Sequence, residues 1–348
     1  MISGGKTMGI GRLSKRAVSI GMVAAFLAAL AVALAPSGAD AAPVCTLSII
    51  NCGCVINTPG TYTLSGASPM TSTGTCVDIT ASKVTLVGGP LLKGPGSTTA
   101  TYGVHVEASA NKVILESIEA EDFGQGFHID GPNASAIALV TTLNGKGTVV
   151  SGANAFLIEA ISEEDNFVGI QVNPGATNFV MVVGEAISES GVGIFLNGVN
   201  GAFLTDAISE GDGSFGIWLK SSSNNVISGF VAESNNVAGV YLGCNAAGPS
   251  DIPCPAGVPS SNGNSFMGPV YGSSTNSIVS STGTPFHQHF GIAVDVGNLH
   301  NHFVTITGTG NLNEDAIDEN PNCGNNRWFA NNFTSSVPAK NTTLFCLN

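Results

Sequence analysis

Gly216-Ile-Trp-Leu-Lys-Ser-Ser-Ser-Asn-Asn-Val-Ile-Ser228 is the stretch on which the reading of the chain turns. Ile217 and Leu219 alternate with Trp218 and Lys220, the period of two that a strand imposes on its side chains. The Ser and Asn that follow are turn formers, because their short polar side chains bond back to the local backbone. A second short β-prone run, Val226-Ile-Ser228, comes next. Each run is only three to five residues long, too short for a helix and bounded by breakers on both sides.

The same unit recurs in both directions. Gly103-Val-His-Val, Gly126-Phe-His-Ile, Gly147-Thr-Val-Val, Gly169-Ile-Gln-Val, Gly193-Ile-Phe-Leu and Gly239-Val-Tyr-Leu share its opening, and the glycines are spaced by 23, 21, 22, 24, 23 and 23 residues. Ala160-Ile-Ser-Glu163, Ala186-Ile-Ser-Glu189, Ala207-Ile-Ser-Glu210 and Phe230-Val-Ala-Glu233 form a second recurring block. A unit with three short strands and no helix buries its Ile, Val and Leu only by stacking on its neighbours. The pattern therefore predicts an all-β solenoid whose strands pair in parallel from coil to coil, at about 4.8 Å per step.

The pattern resembles the right-handed parallel β-helix repeat family, which includes pectate lyases, polygalacturonases and alginate-modifying enzymes. Cys54-Val-Ile-Asn-Thr-Pro-Gly-Thr-Tyr-Thr-Leu64 through Cys76 is similar to the entry segment of that family. Asp318 to Phe333, ending at Cys346, is similar to its closing coil. The expected layout is a leader over 1–41 and one β-helix domain over 42–348. That domain divides into an entry segment (42–76), coils (77–320) with an enlarged loop-rich coil at 244–290, and a closing coil (321–348).

The leader reads as a secretory signal peptide. Arg12, Lys15 and Arg16 precede an apolar run from Ala17 to Leu34, and Ala39-Asp40-Ala41 offers small residues for cleavage. A membrane anchor is the rival reading, since the run approaches the length of a bilayer span; the small-residue site that follows argues against it. The expected destination is extracellular or periplasmic, with no membrane span after cleavage. Removing the leader takes away four bases (Lys6, Arg12, Lys15, Arg16) and one acid (Asp40). That leaves 7 Lys+Arg against 23 Asp+Glu, a formal charge of −16. Nucleic acid needs a basic face and is excluded as a partner. A bare anionic polymer is disfavoured unless a cation bridges it. The sequence carries no sign of oligomeric state.

The chain has 8 cysteines, all beyond the leader, which in an exported chain reads as disulfides. Cys244–Cys254 and Cys323–Cys346 each close a local loop. The connectivity of Cys45, Cys52, Cys54 and Cys76 stays open, and a metal site at Cys52-Gly53-Cys54 is a weak rival without a second ligand pair.

With Ile194 and Leu196 inside, the first strand of each coil displays two outward columns. The first is Asp78, His105, His128, Val149, Gln171, Phe195, Trp218 and Tyr241. The second is Thr80, Glu107, Asp130, Ser151, Asn173, Asn197, Lys220 and Gly243. In enzymes of the family this face holds the sugar-binding groove. Phe195, Trp218 and Tyr241 are candidate stacking platforms, with Gln171, Asn173 and Asn197 as polar subsites. Glu107 and Asp130 are candidate acid and base, with His105 or His128 beside them; their spacing suits a retaining carboxylate pair or a metal site. Outward aromatics on neighbouring strands also stack merely to stabilise a sheet, and the Cys244 loop offers a cover that would make them core.

Acidic residues form two further expected columns, Glu163, Glu189, Glu210, Glu233 and Glu159, Glu185, Asp206. Stacked like charges either splay into water, the favoured reading, or hold a cation such as Ca²⁺; no cofactor is otherwise called for. No family catalytic set carries over. The polygalacturonase motifs and the Asp-Pro-His-Asp of mannuronan epimerases are absent. Arg327 is the one arginine beyond the leader, and Lys220 is the only lysine in the outward columns, a base without acidic ligands around it. Two functions remain: a secreted polysaccharide hydrolase or lyase, and a non-catalytic surface or binding protein on a β-helix scaffold.

Overall fold

The computed structural model describes residues 42–249, 254–268, 278–280, 288–334 and 336–337. The chain divides at Ala41/Ala42, and every described residue belongs to the second unit, Ala42–Asn348. The leader expectation, the tips of the enlarged coil and Cys346 lie outside the described residues.

The described chain is a right-handed parallel β-helix of about 11 coils. The first strands of the coils pair into a 12-stranded sheet, and the other two strands of each coil make a 19-stranded sheet. The register follows the glycine spacing. Phe127 pairs with Thr148, Thr148 with Ile170, Ile170 with Ile194 and Ile194 with Ile217. These side chains point inward and stack into one continuous core. Ala238 pairs with Phe290, so these first strands are neighbours although 51 residues separate them.

The recurring glycine has a packing reason. A polar ladder runs up the inside of the helix at the corner before each first strand. Asn144 Oδ1 accepts the N–H of Phe123, Asp165 Oδ1 that of Asn144, Glu189 Oε2 that of Asp165, Asp212 Oδ1 that of Glu189 and Asn235 Oδ1 that of Asp212. Gln288, Asn311 and Asp315 continue it to Thr334. A Cβ on Gly147, Gly169, Gly193 or Gly216 would collide with Asp165, Glu189, Asp212 or Asn235 respectively. Glycine at the strand start thus makes room for the ladder group of the next coil, which satisfies a buried backbone donor.

Two expected acidic columns are corrected by this arrangement. Glu163 pairs with Ile187, and Ile187 with Glu210. Ala186-Ile-Ser-Glu189 is therefore two residues out of step with Ala160-Ile-Ser-Glu163, and Glu189 is 1% exposed inside the ladder. Glu185 pairs with Ile161 and Ile208, so it does not stack with Glu159 and Asp206. Glu210 and Glu233 do stay adjacent in register, whereas Glu163 and Glu185 each stand beside aliphatics.

Disulfides join Cys45 to Cys54, Cys52 to Cys76 and Cys244 to Cys254. The first two settle the open N-terminal connectivity and remove Cys52 and Cys54 as metal ligands. Cys323 is also disulfide-bonded.

Candidate functional site

The first outward column forms in the expected register. Asp78 pairs with His105, His105 with His128, His128 with Val149, Val149 with Gln171, Gln171 with Phe195, Phe195 with Trp218 and Trp218 with Tyr241. The two ends of this column have very different surroundings.

At the upper end the aromatic row is closed. Phe195 stacks on Trp218 at 4.6 Å between ring centroids, and Trp218 on Tyr241 at 6.0 Å. Phe215 lies against Tyr241 at 4.5 Å. Trp218 is 7% exposed and Tyr241 wholly buried. Together with Phe215, Val168, Val192, Ala238 and Ala293 they form a second apolar cluster outside the main core. The Trp218 indole donates to the Gly243 carbonyl at 2.8 Å. The Tyr241 hydroxyl donates toward Asp295 Oδ2 at 2.5 Å, with the Gly248 carbonyl at 3.1 Å. Burial, then the Asp295 charge, raises the Tyr241 pKa. Gly248 lies in the described segment after Cys244, and its carbonyl meets the Tyr241 hydroxyl. The expectation of an open sugar platform at Trp218 and Tyr241 is corrected: these rings are buried in that apolar cluster. Phe195 keeps partial exposure.

Polar residues in between largely bond to each other. Gln171, 8% exposed, donates to Asn173 Oδ1 at 2.6 Å, and Asn173 donates to Ser151 at 3.2 Å. Asn197 pairs with Lys220 in register. The Lys220 ammonium stands 5.8 Å over the Trp218 ring, a cation–π seat four coils from His128.

The lower end gathers chemistry. His105 Nδ1 lies 3.1 Å from Asp78 Oδ1 and 3.7 Å from Glu107 Oε1, while its Nε2 faces Asp130 Oδ2 at 3.6 Å. His128 Nε2 bonds Asp130 Oδ1 at 3.0 Å. The hydrogen bond to Asp78, reinforced by the charges of Asp78 and Glu107, raises the His105 pKa against a burial penalty. Burial lowers that of His128 despite Asp130. These two imidazoles, one coil apart with ring centroids 5.3 Å from each other, thus have their pKa values pushed in opposite directions. Donor atoms of His105, His128 and Asp130 lie within 4.8 Å of one another, and so do those of Asp78, His105 and Glu107.

Tyr102, absent from the sequence candidates, completes the group. Its ring stacks on His105 at 4.7 Å and meets His128 edge-on at 5.2 Å. The clue in the sequence is that it heads the same strand as His105, three positions earlier. A cavity of about 330 Å³ opens beside it, lined by Asp78, Tyr102, His105 and the entry-segment residues Gly53, Cys54, Val55 and Thr75. His128 Nδ1 and Gln125 Oε1 are buried here without a hydrogen-bond partner.

A family model described as periplasmic copper-binding protein (NosD) matches residues 77–247. None of the curated proteins matches the sequence. Among solved structures, tailspike protein 2 of Escherichia coli O157:H7 bacteriophage CAB120 aligns over 77% of this chain at 14% identity with a TM-score of 0.49, and the chain spans 38% of that protein. The A-module of mannuronan C-5 epimerase AlgE4 from Azotobacter vinelandii aligns over 82% of this chain and 80% of its own at 15% identity and a TM-score of 0.44. The periplasmic alginate epimerase AlgG aligns over 65% and 60% at 11% identity and a TM-score of 0.39. At these identities the likeness is one of fold.

Proposed function

We propose that this chain, a member of the right-handed parallel β-helix repeat family, is an exported protein, secreted or periplasmic, that acts on a glycan by acid–base chemistry at its lower first-strand face. The observation that carries the reading is His105, held between Glu107 and Asp130 on consecutive coils with Asp78 behind it. An imidazole whose pKa is raised, set between two partly exposed carboxylates, offers a proton source and a pair of bases in one place, the equipment that glycosidic bond cleavage needs. His128, its pKa lowered by burial, holds Asp130 in position. Environments that push neighbouring groups apart in pKa mark the division between acid and base. Disulfides and the match to a periplasmic family model support export. Phe195, Asn173 and Asn197 keep partial exposure on the same face and are the subsites available to a sugar chain. The acidic surface favours a neutral glycan over a polyanion.

Incubation with a glycan panel tests this, with reducing ends and unsaturated-sugar absorbance read in parallel to tell hydrolysis from elimination. Turnover should fall at least 100-fold in Glu107→Gln or Asp130→Asn, the usual scale for a lost acid or base. Full activity in both variants would refute the assignment.

A second reading, a transition-metal site, is favoured by the donor set His105, His128 and Asp130 and by the unpartnered Nδ1 of His128. Imidazole and carboxylate suit copper or zinc, and the matching family model is described as copper-binding. A bound ion would supply Lewis acidity at the sugar-facing end of the column. Calorimetric titration with Cu²⁺ and Zn²⁺ decides it: one equivalent bound by the native chain and none by His128→Asn supports the metal, and no binding to the native chain removes it.

A further inference from the structure

The last described coils carry a surface feature that the site above does not use. His302–Val304 and Arg327–Phe329 are adjacent strands of the larger sheet, with His302 opposite Arg327 and Val304 opposite Phe329. Phe303 and Trp328 point inward and stack at 3.9 Å, so the other four side chains point out. His300 occupies the turn just before, with a left-handed backbone at φ 60°. Two adjoining cavities, of about 450 and 540 Å³, share His302, Asn326 and Arg327. One leads to His300 and the other to Phe329, which is 69% exposed.

The charge here is anomalous. The chain has a formal charge of −13, yet Arg327 has no acidic partner among the described residues. Asp318 accepts hydrogen bonds from Asn326 and Trp328 and is fully buried on the inner side. The result is a two-coil trough with a planar cation and two imidazoles at one end and an apolar ring and a valine at the other. A guanidinium fork matches a carboxylate with two parallel N–H donors, and an exposed ring offers its face to the C–H side of a sugar.

The geometry points to this trough as a binding site for a short carboxylated sugar, a uronate of one or two units, on a different sheet from the acid–base cluster. Arg327, with His302 beside it, takes the carboxylate, and Phe329 with Val304 takes the ring. The net negative charge of the chain disfavours a long polyanion, whereas a short one meets the cationic end.

Calorimetry of the mature chain with digalacturonate, its dimethyl ester and inorganic phosphate tests the proposal. Digalacturonate binds, the neutral ester binds at least 10-fold more weakly, and Arg327→Gln weakens the acid by 10- to 100-fold, the scale of a lost charge-assisted pair. Phe329→Ser weakens both sugars. Should Arg327→Gln fail to fold, judged by thermal unfolding, His302→Asn provides the same comparison at smaller amplitude. His105→Asn leaves digalacturonate binding unchanged, so the fate of the acid–base site does not decide this one. Equal binding of acid and ester, tighter binding of phosphate than of the disaccharide, no binding at all, or loss of binding in His105→Asn would each overturn it.

Discussion

Glu189 Oε2 accepts the backbone N–H of Asp165 at 2.6 Å, one coil away and out of reach of water. The same carboxyl sits between two other buried acids. Burial, then the charges of Asp165 and Asp212, pushes the Glu189 pKa up to about 9. Burial alone pushes Asp165 to about 6 against the hydrogen bonds from Ser162, Asn144 and Thr141. The folded state therefore holds these protons to higher pH than the unfolded chain does. Their stabilisation is present in acid and is lost as pH rises from the ordinary carboxylate range to about 9. Unfolding midpoints in urea should fall between pH 5 and pH 9, by several kcal/mol in stability at about 1.4 kcal/mol per unit of displaced pKa. Glu189→Gln keeps the acceptor and removes the proton, so it should flatten much of that slope. An undiminished slope in the variant would show that the ladder does not titrate.

The glycine at the strand start gives a second test. Gly193→Ala pushes a methyl group into Asp212 and Ser209 and should cost about 1–3 kcal/mol, the usual price of overpacking. Gly74→Ala, where a Cβ meets nothing within 4 Å, should be close to neutral. Denaturant midpoints of the two variants make the comparison; equal midpoints contradict the packing account.

The loop over the aromatic row supplies a third. Tyr241→Phe removes the hydroxyl that meets Asp295 and Gly248. It should destabilise by about 1–3 kcal/mol, the cost of withdrawing a buried partner, and speed proteolytic cleavage within the Cys244–Cys254 loop. Glycan turnover per folded molecule should not change, since no open ring is lost. An unaltered midpoint would mean that the loop is not held by this contact.

The two neighbouring histidines provide a fourth. In side-chain NMR titrations, His105 should titrate above the ordinary imidazole value of 6.5 and His128 below it. Asp78→Asn should bring His105 down, because the Asp78 hydrogen bond is its largest cause. Coincident titrations would undo the division of labour at the site.

Much of this was legible in the residues. The strand period and the glycine spacing gave the register from Asp78 to Tyr241 without an error, because one face of each strand is buried and a slip of one residue would expose the core. The Glu189 column failed because Ala-Ile-Ser-Glu recurs with a two-residue offset that pairing, not wording, decides. Trp218 and Tyr241 were read as outward, which they are, but alternation does not say what covers an outward ring; Phe215 packs on both and Gly248 meets Tyr241. Tyr102 escaped because it stands three positions before His105 in its strand, a spacing that alternation does not place in one column.

The interior ladder also gives the molecule a reading frame. Each coil hands its hydrogen bond to the next at one fixed corner, and each corner is matched by a glycine one coil below. Adding or removing a whole coil leaves every hand-off in phase. Adding or removing two residues at a ladder corner strands a buried donor there and in the coil beneath. Length in such a chain is tolerant in steps of a coil and intolerant within one, so a site built on three neighbouring coils can be carried along the axis intact while the helix around it lengthens or shortens.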